Sequence, residues 1–149
     1  MSASSQTAFV DTNVLIYAHN LDAGTKHELA KTLIEGLWSS GQGKLSVQVL
    51  NEFYVNITQK IQSPVNPETA RAIVEPYLSW QPIVPAADST LRASEIQQRH
   101  RLSFWDAMIV HAAVLSGAET LYSEDLNAGQ LIEGIRVVNP VSTSGVHET

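Results

Sequence analysis

The chain has 149 residues, enough for one domain with a single hydrophobic core. Its 44% hydrophobic and 16% charged residues are typical of a soluble globular protein, and no apolar run approaches the about 20 residues of a membrane span. The absence of cysteine excludes disulfides, thiolate zinc sites and cysteine nucleophiles. The net charge of −6 argues against non-specific binding to nucleic acid, which depends on clustered cations.

The amino-terminal segment at 1–6 has neither the basic region nor the apolar region of a signal peptide. We therefore expect a cytoplasmic protein that does not associate with a membrane. The polar residues at 142–149 predict a second loose terminus, like that at 1–6. No repeat, low-complexity block or linker separates two parts of the chain, so we expect a single domain over 1–149.

Short β-like runs alternate with helical patterns in the first half of the chain. Ser63 and Pro64 should end one long helix, and Pro67 should open the next. Pro82 suggests that the last strand of this half is irregular or lies at an edge. In chain order the patterns predict a strand at 7–10, helices at 14–17 and 25–39, a strand at 44–46, helices at 47–61 and 67–80, and a strand at 81–84.

The second half continues the alternation. Asp88 and Ser103 are expected to cap two helices, and the helix that follows Ser103 is apolar on nearly every side, which predicts burial. The predicted elements are helices at 88–100 and 103–116 and strands at 118–122 and 135–139, the strands being separated by a loop that contains Gly129. Strands and helices in this order predict an α/β domain with a mainly parallel sheet and right-handed crossovers.

Two acids follow predicted strands. Ligands of open parallel sheets bind beyond the carboxyl ends of the strands, and Asp11 directly follows the first strand. Asp125 comes just after the strand at 118–122, with Glu124 beside it, so the choice between these two acids stays open. Asp11 could instead cap a helix, and Asp125 could be an ordinary loop acid.

Two further acids lie near predicted helix starts. Asp106 comes three residues after Ser103 and could serve only the helix terminus, but its apolar neighbours make a carboxylate costly without a partner or a metal. Glu52 projects away from the apolar stripe of its helix, which by itself predicts a solvated position. Together the four acids could enter one cleft and bind Mg²⁺ or Mn²⁺, which take carboxylates and water as ligands.

A short basic stretch precedes the helix that carries Asp106. Arg99 and Arg101 flank His100 and are the densest cations in the chain. They could contact the phosphates of RNA at the rim of the acidic cleft, or they could be solvated loop residues.

Four segments resemble the PIN-domain nucleases, and in particular the VapC-type toxins of bacterial toxin–antitoxin pairs. They are FVDTNVLIY from Phe9, NEF from Asn51, LSFWDA from Leu102 and LYSEDL from Leu121. The resemblance implies a three-layer α/β/α sandwich that cleaves single-stranded regions of RNA with Mg²⁺ or Mn²⁺. It also implies a homodimer that a separate antitoxin inhibits.

The resemblance assigns roles by position. It makes Asp11, Glu52, Asp106 and Asp125 the catalytic and metal-binding acids, with Asn13 and Ser123 orienting ligands or water by hydrogen bonds. It favours Asp125 over Glu124, because the family pattern is a small hydroxyl residue, a variable residue and then the acid.

Three alternatives stay open at this point. The chain could be a PIN nuclease of housekeeping RNA processing, or a non-catalytic interaction module. A phosphatase of the haloacid dehalogenase type also begins with an acid after a strand, but it needs a second acid where this chain has Asn13.

Overall fold

The computed structural model describes residues 6–142 and contains five strands and six α-helices in that range. The strands are β1 (Ala8–Val10), β2 (Gly43–Lys44), β3 (Thr120–Tyr122), β4 (Leu131–Ile132) and β5 (Ile135–Val138). The helices are α1 (Thr12–His19), α2 (Thr25–Ser40), α3 (Val47–Gln59), α4 (Pro67–Val74), α5 (Ser89–His100) and α6 (Phe104–Leu115).

The strands form one sheet in the order β2-β1-β3-β5-β4. Strands β2, β1, β3 and β5 are parallel, and β4 pairs with β5 in the antiparallel direction. Val10 lies opposite Tyr122, and Tyr122 lies opposite Val138, so the three central strands end at the same edge. The mainly parallel sheet predicted from the sequence is confirmed.

Helices cover the sheet in two groups. Helices α1, α2 and α3 pack together, and α5 packs on α6. Phe9, Leu121 and Val137 on the central strands are fully buried, as expected of parallel strands whose two faces are both covered. The three-layer α/β/α sandwich implied by the motifs is confirmed.

Most helices begin where the sequence predicts. The Ser103 hydroxyl caps α6 by accepting a hydrogen bond from the Asp106 backbone N–H at 3.1 Å, as predicted. Asp88 occupies the cap position of α5, but its carboxylate caps no backbone group and lies 3.5 Å from the Arg92 side chain instead. The helix predicted at 67–80 is α4 followed by a 3-10 helix at Glu75–Trp80, because Pro76 cannot donate the hydrogen bond that would continue an α-helix.

Two elements at the sheet edges differ from the predictions. The strand predicted at 81–84 is reduced to a single parallel bridge between Ile83 and Ser46. This agrees with the irregular or edge position that Pro82 suggests, because Pro82 lacks the N–H of a longer ladder. The sequence patterns also missed β4, whose two residues lie in the predicted loop around Gly129. Both segments depend on a partner strand rather than on their own hydrophobic pattern.

The predicted loose termini at 1–6 and 142–149 lie outside the described residues, except for Gln6 and Ser142. Within residues 6–142, no helix is both long and apolar enough to cross a membrane.

Candidate active site

Asp11 forms the buried floor of a cleft at the carboxyl edge of the sheet. Its backbone N–H donates to the Tyr122 carbonyl at 2.9 Å, which fixes the residue directly beyond β1. Its carboxylate accepts hydrogen bonds from the Thr12 backbone N–H at 2.7 Å and from the Ser123 hydroxyl at 2.8 Å. Only 5% of Asp11 is exposed.

The surroundings of Asp11 disfavour its charged form. Burial raises the pKa of Asp11 from 3.8 to about 7, although the hydrogen bonds from Ser123 and Thr12 act in the opposite direction. The negative charges of Asp125 and Asp106 raise this pKa further. Among residues 6–142, no Lys, Arg or His forms an ion pair with Asp11. The ionised side chain therefore has no compensating ion pair within the described part of the chain.

Ser123 connects Asp11 to the loop that follows β3. Its hydroxyl oxygen also accepts hydrogen bonds from the backbone N–H groups of Asp125 at 3.2 Å and Leu126 at 3.4 Å. Asn13 holds the same loop from the other side, because its side-chain oxygen accepts from the Glu124 backbone N–H at 3.2 Å. These bonds position the loop over the end of β1.

The neighbouring acids Glu124 and Asp125 have different environments. The Glu124 carboxylate accepts hydrogen bonds from the Lys26 ammonium and, at 2.6 Å, from the Tyr17 hydroxyl. Burial alone would raise the pKa of Glu124, but these hydrogen bonds and the charge of Lys26 lower it overall. Asp125 is exposed and lines the cleft, whereas Glu124 does not. The geometry thus agrees with the family pattern in favouring Asp125.

Glu52 and Asp106 enter the cleft from helices α3 and α6. Glu52 accepts hydrogen bonds from the Thr12 hydroxyl at 2.6 Å and from the Gln48 amide at 3.1 Å. Partial burial raises the pKa of Asp106, and the charges of Asp125 and Glu52 add to this, against a lowering by the Ser103 hydrogen bond. The structure therefore brings all four acids to one place.

The cleft has a volume of about 400 Å³. It is lined by Asp11, Thr12, Asn13, Ile16, Gln48, Glu52, Asn56, Lys60, Trp105, Asp106, Ile109 and Asp125. Within the described part of the chain, no three Asp, Glu or His side chains stand close enough together to ligate one ion. Hexacoordinate Mg²⁺ needs only one or two carboxylates and keeps several waters, so this donor set of oxygens fits a divalent ion. The buried, unpaired Asp11 carboxylate is the observation that favours one.

The sequence patterns missed several residues of this lining. Thr12 holds Glu52, while Gln48, Asn56 and Lys60 share the cleft with it. A signal is present in the sequence, because polar residues recur every four positions at 48, 52 and 56 of α3 and at 60 directly after it, which places them along one side of a helix. The sequence predicts only a solvated face opposite the apolar stripe, but in the structure this face borders the cleft.

The two arginines considered for RNA contact do not line the cleft. Arg99 pairs with Glu133, which also lies 2.9 Å from the His100 side chain. Arg101 has an exposed side chain at the end of α5, with no ion pair among the described residues.

Ligands of α/β proteins bind at the carboxyl edge of the parallel sheet. An acidic cleft at that edge is therefore expected to bind metal ions, or phosphate esters by means of bound metal ions. A model of the PIN domain family matches residues 8–131. The chain therefore belongs to the PIN domain family, as its motifs predicted, and PIN domains are in general nucleases.

One solved structure shares this fold over most of both chains. It is the crystal structure of VapBC2 from Rickettsia felis bound to a DNA fragment from their promoter. The TM-score is 0.59 at 18% sequence identity, and the match covers 90% of this chain and 98% of that chain. The comparison with curated proteins gives no match.

Proposed function

We propose that this protein is a Mg²⁺- or Mn²⁺-dependent endoribonuclease that cleaves single-stranded regions of RNA in the cytoplasm. The observation that carries the proposal is the buried Asp11 carboxylate, which shares an open cleft with three further acids and forms no ion pair among the described residues. Strongly perturbed acids in a cleft are typical of functional sites rather than of structural ones.

One or two of the acids Asp11, Glu52, Asp106 and Asp125 would bind the ion directly, and the others would bind it through its water ligands. When bound, the ion would neutralise charge on the phosphate and make water more acidic. Ser123 fixes the direction of the Asp11 carboxylate, and Thr12 fixes that of Glu52. Asn13 anchors the loop that carries Asp125. Hydrogen bonds to the side chains that bind a metal ion keep those side chains in one orientation.

The proposed activity is tested with purified protein and labelled RNA. We expect cleavage in Mg²⁺ or Mn²⁺ that EDTA stops, and no cleavage by Asp11→Asn or Asp106→Asn protein. Glu28→Gln is the matched control, because Glu28 is an exposed acid at the start of α2 that does not line the cleft. Unchanged cleavage by highly purified Asp11→Asn protein would exclude this active site.

We further propose that the nuclease is the toxin of a type II toxin–antitoxin pair and forms a homodimer. The chain shares its fold with VapBC2, and its motifs resemble those of the VapC-type toxins. Apolar side chains such as Leu78 and Leu131 are exposed, as they would be at an interface. Co-expression with the product of a neighbouring gene should yield a complex with reduced nuclease activity. A protein that stays monomeric at high concentration would contradict the homodimer, and nuclease activity that the neighbouring gene product does not change would contradict the antitoxin. Both results together would favour a role in housekeeping RNA processing.

A further inference from the structure

Trp105 is a large apolar side chain that folding leaves in water beside the acidic cleft. It is 63% exposed, it lies in the first turn of α6 directly before Asp106, and it lines the cleft. Its neighbour Phe104 is half-buried and meets the indole edge-on, with ring centroids 5.2 Å apart. Tryptophan contributes most when it is covered, so an exposed indole at a binding cleft is available to a ligand.

Lys60 lies at the other end of the same cleft. The Gln48 amide donates to the Trp105 carbonyl at 3.4 Å, which places Trp105 near the start of α3. Lys60 follows α3 at its carboxyl end, and the twelve residues from Gln48 to Lys60 rise by about 18 Å along a helix. Glu52 lies between them, so the two ends of the cleft carry an aromatic ring and a cation on either side of an acid.

Lys60 also has no acidic partner among the described residues. Its ammonium forms no ion pair within residues 6–142, although acids line the same cleft. It is exposed, and no other Lys or Arg lines this cleft. A cation in that position can meet the phosphate of a strand that passes over the acids.

We propose that the cleft is a track for a single strand of nucleic acid, in which Trp105 stacks on one base and Lys60 binds a backbone phosphate on the opposite side of the acids. This inference rests on the proposed nuclease function and adds the residues that hold its substrate. A base inside a duplex has both faces covered, so stacking on Trp105 selects unpaired nucleotides without selecting a sequence.

The two contacts can be separated by their chemistry. We would measure the affinity of an oligoadenylate and of an abasic ribose-phosphate chain of the same length, with Ca²⁺ in place of Mg²⁺ so that the carboxylates stay neutralised. Trp105→Ala should weaken binding of oligoadenylate about 5- to 160-fold, the usual worth of one stacked base, and should leave binding of the abasic chain unchanged. Trp105→Phe should recover most of the affinity, because it keeps an aromatic face.

Lys60→Ala should weaken binding of oligoadenylate and of the abasic ribose-phosphate chain by the same factor. Loss of one phosphate contact to a single strand should lower the slope of log affinity against log salt by about 0.7. Leu91→Ala is the matched control, since Leu91 is a 64% exposed apolar residue on α5 that does not line the cleft. Circular dichroism checks that each variant is folded.

Three outcomes would overturn the inference. If Trp105→Ala lowered the affinity for oligoadenylate and for the abasic ribose-phosphate chain equally, the indole would not stack on a base. Wild-type cleavage of RNA with unchanged binding by the Trp105 and Lys60 variants would refute the track and leave the nuclease intact. A wild-type protein that neither binds nor cleaves RNA would refute both.

Discussion

Two sets of acids in this protein have opposite surroundings. At the periphery, Glu124 accepts hydrogen bonds from Lys26 and Tyr17, which lower its pKa. Glu133 contacts His100 and Arg99, which lower its pKa in the same way. In the cleft, burial raises the pKa of Asp11 and of Asp106, and the described residues supply no cation to pair with either. Cations of the chain thus pair with these two peripheral acids, whereas the cleft acids stand together at one edge of the sheet without an ion pair among the described residues. Such a concentration lowers stability, which makes it evidence for a ligand that is positively charged.

The neighbours Asp125 and Glu124 give the sharpest form of this comparison. We expect Asp125→Asn to lower RNA cleavage by more than about 100-fold. Removal of a group that only orients a metal ligand lowers activity by about 10- to 100-fold, and removal of the ligand itself should have a larger effect. Glu124→Gln should leave cleavage unchanged and alter the free energy of unfolding by no more than about 1 kcal/mol, as for other surface ion pairs. Single-turnover cleavage and urea unfolding of the two variants measure both quantities. Loss of activity in Glu124→Gln instead would reverse the assignment of the fourth acid.

The pH dependence of stability should separate the two sets of acids as well. The pKa of Asp11 is about 7 in the folded chain and 3.8 ordinarily, so between these values the folded state binds more protons than the unfolded state. The free energy of unfolding of metal-free protein should therefore fall by up to a few kcal/mol as pH rises from about 4 to about 7.

Asp11→Asn protein should lose this part of the pH dependence and should be as stable as the wild type or more stable above pH 7. Added Mg²⁺ should stabilise the wild type there and have little effect on the variant. Urea unfolding in EDTA and in Mg²⁺ at several pH values measures this. A wild-type profile that Asp11→Asn does not change would show that Asp11 stays ionised throughout.

Ser123→Ala should have a smaller effect on activity. The substitution removes the hydroxyl that donates to Asp11 and accepts from the backbone of the Asp125 loop. We expect a loss of about 10- to 100-fold in Mg²⁺ affinity or in cleavage, as for other groups that orient metal ligands. Ser94→Ala on the exposed side of α5 is the control. Equal activity of the two variants would mean that the Asp11 carboxylate needs no orientation by this hydroxyl.

Arg99 and Arg101 should show the smallest effect. We propose that they bind only RNA long enough to leave the cleft, because neither lines it and Arg99 also pairs with Glu133. Replacing both by Ala should weaken binding of long RNAs of any sequence and lower the salt slope by about one unit per lost contact. Short oligonucleotides should bind as before. An unchanged slope with long RNA would remove these arginines from the RNA surface.

The local pattern of the sequence was sufficient for the elements that position the site. Strand β1 and the start of α6 were predicted because an apolar run and a capping serine act through their nearest neighbours in the chain. The segment at 81–84 forms a single bridge instead of a full strand, and the sequence patterns do not predict strand β4. These short edge segments owe their conformation to a partner strand, and no local periodicity encodes a partner.

The sequence by itself also determined which acids to compare, since the family motifs single out Asp11, Glu52, Asp106 and Asp125. Only the tertiary structure decided their chemistry. The bond from Ser123 to Asp11 joins residues 112 positions apart, and Lys26 reaches Glu124 across 98 positions. Burial, hydrogen bonding and charge pairing shift a pKa through distances in space, which hydrophobic spacing along the chain does not report. For the same reason the exposed ring of Trp105 and the unpaired ammonium of Lys60 became candidates only when the fold placed them along one cleft.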